Sequence, residues 1–115
     1  MRLKSAIFVA AVVRTAHGAG AFAAVRRRGS EEAGAVFVKV STLDGNAALY
    51  GPAPQSAFDE SYPADRYFSV LVPADRPESD SEERMRKEVR FDSDLWFVEI
   101  EDRAGRPFIE IAKVD

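Results

Sequence analysis

The chain has no cysteine and a single histidine, His17. The first absence removes disulfides, thiolate metal sites and cysteine nucleophiles together, and it fits a reducing compartment. The second removes most catalytic triads and histidine-based metal centres. His17 follows an apolar run, where a place at a helix C-terminus accounts for it. Long hydrophobic runs are lacking too. None approaches the roughly 20 residues that cross a bilayer, so no membrane contact is expected. Arg2 and Lys4 ahead of Ala6 to Val13 imitate a secretory signal, but Arg14 ends that run early and no distinct cleavage region follows. Cofactor loops are also missing. Gly18 and Gly20 form a G-x-G, yet no glycine stands at position 23, where the dinucleotide pattern needs its third. There is no P-loop, and no cofactor is expected.

What is present is ordinary for a globular protein. A chain of 115 residues, 46% apolar and 30% charged, is the size of one domain. It buries roughly two-thirds of its unfolded surface, enough for a core without staples. The net charge of −3 conceals a split, with Met1 to Ser41 carrying +5 and Thr42 to Asp115 carrying −8. The two halves either face different partners or pair across the fold.

Ser5 is placed to cap a buried helix from about Ala6 to Ala16, closed by Gly18 and Gly20. The β-branched run Ile7 to Val13 also reads as a strand, and periodicity alone does not separate the two. From Ala21 the period becomes two. The stretch through Arg28, the polar loop Gly29 to Gly34 and Ala35 to Val40 read as a hairpin. Asp44-Gly45 turns the chain again into Ala47 to Tyr50. Gly51 to Asp65, with three prolines, Phe58 and Tyr62, reads as a lid or a wrapped crossover. Tyr67 to Val72 is a strand or a helical turn. Ser79 or Ser81 then caps a second helix through Phe91, with acids first and bases later. Leu95 to Glu101 and Pro107 to Ala112 read as a final hairpin. The expected fold is a single α+β domain over residues 1–115, an antiparallel sheet of five or six strands packed against two helices.

Two clusters are candidate sites. Arg26, Arg27 and Arg28, with Lys39 on the neighbouring strand, are basic groups interleaved with aromatics. They suit either phosphate contact or structural pairing with acids of the back half. A pI near 5.2 weighs against a dedicated nucleic-acid binder. Phe58 and Tyr62 in the proline-rich loop join them as binding candidates. In the second cluster Glu99 and Glu101 share a strand face and Asp92 and Asp94 precede it, so the four could hold Mg²⁺ or Ca²⁺. Alternatively they only keep the outer face wet.

The segments MRLKS (Met1 to Ser5), GAFAAVRRRG (Gly20 to Gly29), AGAVFVK (Ala33 to Lys39), LYGPAP (Leu49 to Pro54) and FDSDLWFVEIEDR (Phe91 to Arg103) carry a resemblance over nearly the whole chain. It is to a family of short alphaproteobacterial proteins of unknown function, family number 1491. The resemblance implies a cytoplasmic bacterial protein that keeps its N-terminus, and supplies no catalytic residue, ligand or partner. The expected function is therefore a non-enzymatic binding or adaptor domain. The alternatives are a nucleic-acid-binding protein and a metal-assisted hydrolase or nuclease. Its partner would be another protein, or a second copy joined through Phe97 and Phe108.

Overall fold

The computed structural model describes residues 3–54 and 66–112. The elements run α1 (Ser5–Gly18), β1 (Phe22–Arg27), β2 (Val36–Ser41), β3 (Ala47–Pro52), β4 (Tyr67–Val72), α2 (Glu78–Phe91), β5 (Trp96–Glu101) and β6 (Glu110–Ile111). The strands make a six-stranded sheet in the order β1-β5-β2-β3-β4-β6. The α+β class with two helices is as expected, but the sheet is mixed. β5 runs parallel to β2, and β6 parallel to β4. The reason is α2, a crossover that returns β5 in the direction of β4 and β2, which no tight turn could do. Among the described residues no helix is long and apolar enough to cross a membrane.

The run Ile7 to Val13 is helical. Ser5, Val9, Val12 and Ala16 fall on one stripe and are buried, while Ile7 on another side is 53% exposed. The helix is thus a surface helix packed on one side, not a buried one. Ser5 does not cap it, since Lys4 holds the cap position. Instead the Ser5 hydroxyl donates to the Gly34 carbonyl at 2.6 Å and accepts from Arg66 at 2.8 Å. The second helix likewise starts earlier than expected, after Pro77, and neither Ser79 nor Ser81 caps it.

Alternation along the central strands divides the core in two. Val36, Val38 and Val40 of β2 join Trp96, Val98 and Ile100 of β5 beneath α1, with Phe68. Phe37, Leu49, Leu95 and Phe97 point to the opposite side, where Met85 of α2 covers them. A strand buried on both faces reads as a continuous apolar run, which WFV and VFV show.

The two expected hairpins around β5 do not form. β1 and β2 run antiparallel, but β5 lies between them and is hydrogen-bonded to both. The loop Gly29 to Gly34 therefore arches over the start of β5. Ser30 donates to the Asp94 carbonyl at 2.9 Å, Trp96 donates to the Ala35 carbonyl at 2.7 Å, and the Trp96 indole reaches the Ser30 carbonyl at 2.8 Å. After β5 the chain turns at Asp102. Its carboxylate takes the Arg106 backbone N–H at 2.8 Å and the guanidinium at 2.9 and 2.8 Å. These bonds hold the Asp102 carboxyl at a pKa of about 2. Phe108, Ile109 and Ile111 then pack on the α1 side of the core, and β6 pairs with β4 instead of β5. The hairpin between β2 and β3 is as expected. Gly45 takes a φ of 93° in its turn, and the Asp44 carboxylate accepts from Thr42 and Asn46.

The arch depends on glycine because a Cβ at Gly29 would collide with the Asp94 carbonyl and the Leu95 backbone, neither of which can move without β5. We expect Gly29→Ala to lower stability by about 1–3 kcal/mol, the usual cost of overpacking. Gly18→Ala, whose Cβ meets nothing within 4 Å, should leave it unchanged or slightly raised. Urea unfolding of the two variants measures the contrast.

Candidate functional site

Strand alternation puts Lys39 of β2 and Glu99 of β5 side by side in register, both facing α2. Ala24 of β1 lies opposite Glu99, and Arg26, two residues on and beside a bulge between Val25 and Arg27, falls on the same side, where its guanidinium lies 4.7 Å over the Phe97 ring. The first turns of α2 bring Glu78 and Glu82 down on them. The Lys39 ammonium, 4% exposed, has carboxylate oxygens of Glu82, Glu78 and Glu99 at 2.8, 2.9 and 3.2 Å. Arg26 holds Glu82 in a bidentate pair, both bonds 2.8 Å, and Glu99 at 3.1 Å.

The pairing sets the protonation states. Burial alone would lower the Lys39 pKa, but hydrogen bonds to Glu82 and Glu78 and the Glu99 and Glu82 charges outweigh it and raise it. The bond to Arg26 and the neighbouring Lys39 hold Glu82 at a pKa of about 2, against an ordinary 4.5. Arg26 is raised, chiefly by its bond to Glu82. Two cations among three carboxylates leave an acid surplus. Arg26 and Lys39 thus serve as structural partners to the back half's acids, which is how the charge split closes here.

Of the other arginines in the run, Arg27 donates to the Ser93 carbonyl at 2.9 Å and Arg28 lies 5.0 Å over the Trp96 ring. Among the described residues neither is neutralised by a carboxylate. Phe58 and Tyr62 lie outside the described residues. The four acids do not converge. Asp92 closes α2 and accepts from the Asp94 backbone N–H at 2.9 Å, while Glu99 is tied to Lys39 and Arg26. Glu101 shares the face of Glu99, two residues along β5. Among the described residues no three His, Asp or Glu form a group able to hold a metal ion. Phe97 is buried under α2 and Phe108 packs on the α1 side, so the apolar face expected to join two copies does not exist.

The feature missed in the sequence lies beside this cluster. A groove of about 330 Å³ runs between α2 and the β1/β5 edge of the sheet. Met85, Val89 and Phe97 form its floor, and Arg26, Glu82, Arg86 and Arg90 its rim. Among the described residues Arg86 and Arg90 have no carboxylate partner. Glu78 and Glu82 of α2 are spent on the sheet, while Asp80, Glu83 and Glu88 pair with Arg76, Lys87 and Arg84, which leaves Arg86 and Arg90 over. The signal was available, because Met85-Arg86 and Val89-Arg90 repeat an apolar-basic pair one helical turn apart. It reads equally well as complement to the helix dipole.

The family profile described as "Protein of unknown function (DUF1491)" matches residues 3–110. The chain belongs to the DUF1491 family. Two solved structures show how far the DUF1491 likeness extends. The solution structure of protein Atu0922 from A. tumefaciens is 41% identical, with a TM-score of 0.83, covering 100% of this chain and 98% of that one. The crystal structure of a DUF1491 family protein from Caulobacter crescentus is 37% identical, with a TM-score of 0.80, covering 98% and 100%. No curated protein matches the chain.

Lys39→Met removes the centre of the charge cluster and leaves three carboxylates facing one arginine. We expect a loss of about 3 kcal/mol, the low end for breaking a buried pair because Glu78 remains partly solvated. The Glu82 bond also predicts a pH dependence. With the folded pKa below the ordinary value, its stabilisation is complete above about pH 4.5 and is lost as pH falls through about 2. The gap in urea midpoint between wild type and Glu82→Gln should therefore be wide at pH 7 and nearly closed at pH 2.

Proposed function

We propose that the chain is a non-enzymatic binding module that uses the groove between α2 and the β1/β5 edge, and that it works in the bacterial cytoplasm. The observation that carries this reading is an apolar floor of Met85, Val89 and Phe97 bordered by Arg86 and Arg90, which have no carboxylate partner among the described residues. Cations next to desolvated apolar surface favour a ligand that is both anionic and apolar. The charge would be expensive to bury without its counter-ion, and the floor gains only from apolar contact. The groove's volume is at the lower end for small-ligand pockets, enough for a ring system or a few side chains. A cysteine-free chain suits a reducing compartment.

Nucleic acid is the weaker occupant. Arg26 and Lys39, two of the four basic residues of the first candidate cluster, sit among three carboxylates, which would repel phosphate.

Anilinonaphthalene sulfonate joins an anionic group to an aromatic one and tests the reading directly. We expect saturable fluorescence enhancement at pH 7 with the folded protein, weakened in the double variant Arg86→Gln, Arg90→Gln. Dye binding that is unsaturable, absent, or indifferent to the double variant removes the groove as the site.

A further inference from the structure

Four observations narrow what fills the groove. The Phe97 ring is 5% exposed and its face is covered by Arg26 at 4.7 Å, so no open aromatic platform remains for a base to stack on. What the floor offers besides is aliphatic, chiefly the partly buried Val89, since Met85, one turn earlier along α2, is itself only 3% exposed. Arg86 and Arg90 repeat the same interval, about 6 Å along the helix axis at 1.5 Å per residue. Side chains four apart on another helix have the same spacing.

Strand addition is disfavoured on the adjoining edge. β1 is the end strand of the sheet, but the Ala23 carbonyl is met by His17 Nε2 at 3.0 Å, and the bulge between Val25 and Arg27 breaks the register that a new strand would need. Plugs and bulges of this kind guard sheet edges. The residue after Arg90, Phe91, is 90% exposed at the end of α2 and adds apolar surface beyond the groove.

We infer that the occupant is an acidic amphipathic helix of a protein partner, which lays its aliphatic face on Val89 and pairs carboxylates one turn apart with Arg86 and Arg90. The inference rests on the binding reading above and names its partner class. Docking of this type takes its affinity from the apolar anchors and its selectivity from the rim charges. The charge pattern of α2 favours an acidic partner in one position. Glu78 and Glu82 of the helix are engaged with Lys39 and Arg26, Asp80 with Arg76, Glu83 with Lys87 and Glu88 with Arg84, so that among the described residues Arg86 and Arg90 are its cations without a carboxylate.

The test is displacement of bound anilinonaphthalene sulfonate from the full chain by a capped, alanine-rich peptide of about fifteen residues, long enough to be partly helical. The peptide carries leucines one turn apart with a glutamate beside each. We expect it to displace the dye, to bind on the order of tenfold more weakly to the Arg86→Gln, Arg90→Gln variant, and to lose displacement when its glutamates are replaced by lysine. Both arginines are exposed and have no carboxylate partner among the described residues, so the variant should keep the wild-type fold, and a dispersed amide NMR spectrum checks this. A peptide that leaves the dye in place overturns the inference, whether a single-stranded oligothymidylate releases the dye or not. So does a peptide that binds the variant as well as the wild type. Either result leaves the binding reading standing, because that falls only if the dye itself binds unsaturably, fails to bind, or binds the double variant as well as the wild type.

Discussion

Strand β5 is hydrogen-bonded along both edges and buried on both faces, and most of the remaining architecture follows from its insertion. It separates β1 from β2, which would otherwise pair, and it forces the Gly29 to Gly34 loop into an arch over its own first residues. Trp96, Val98 and Ile100 complete the core under α1, while Leu95 and Phe97 complete the one under α2. A strand in this position must arrive late, by a crossover long enough to return parallel to β2, and α2 is that crossover. The helix that carries half of the candidate site is therefore fixed to the sheet because the topology requires its passage there.

Insertion of β5 also creates the charge cluster. Lys39 and Glu99 become neighbours only because β2 and β5 lie in parallel register, and Arg26 reaches them from β1 across one strand. A polar helix such as α2, which fully buries only Ser81 and Met85, docks weakly by apolar area alone. The ion pairs with Lys39 and Arg26 give it a second anchor. Buried pairs of this kind do more to specify a position than to add net stability, since each charge loses its hydration. Holding α2 at that position keeps its outer edge off the sheet and leaves the groove, with Arg86 and Arg90 at its rim.

The elements were legible locally, and their partners were not. The Asp44-Gly45 hairpin and the acid-then-base helix ending at Phe91 carry patterns that span a few residues, whereas the patterns over Ile7 to Val13 and Tyr67 to Val72 marked an element and left helix or strand open. The strands around β5 were legible as strands, but adjacency in sequence suggested hairpins where the chain instead makes room for a distant strand. The Arg26, Arg27, Arg28 and Lys39 cluster was visible as charge. Its neutralisation was not, because the acids that meet Arg26 and Lys39 lie roughly forty to seventy residues further along.

By itself the sequence determined that the chain is an α+β protein without thiol chemistry, with an excess of basic residues in front and acidic ones behind. Periodicity, turn chemistry and composition act within a few residues or on the whole chain at once, so they can be read without coordinates. Only the tertiary structure decided which cations are spent and which are free. That depends on β5 entering between β1 and β2 and on α2 lying over Lys39. These are contacts between residues far apart in the chain, selected by the burial of Phe97, Leu95 and Trp96 and not by any local pattern.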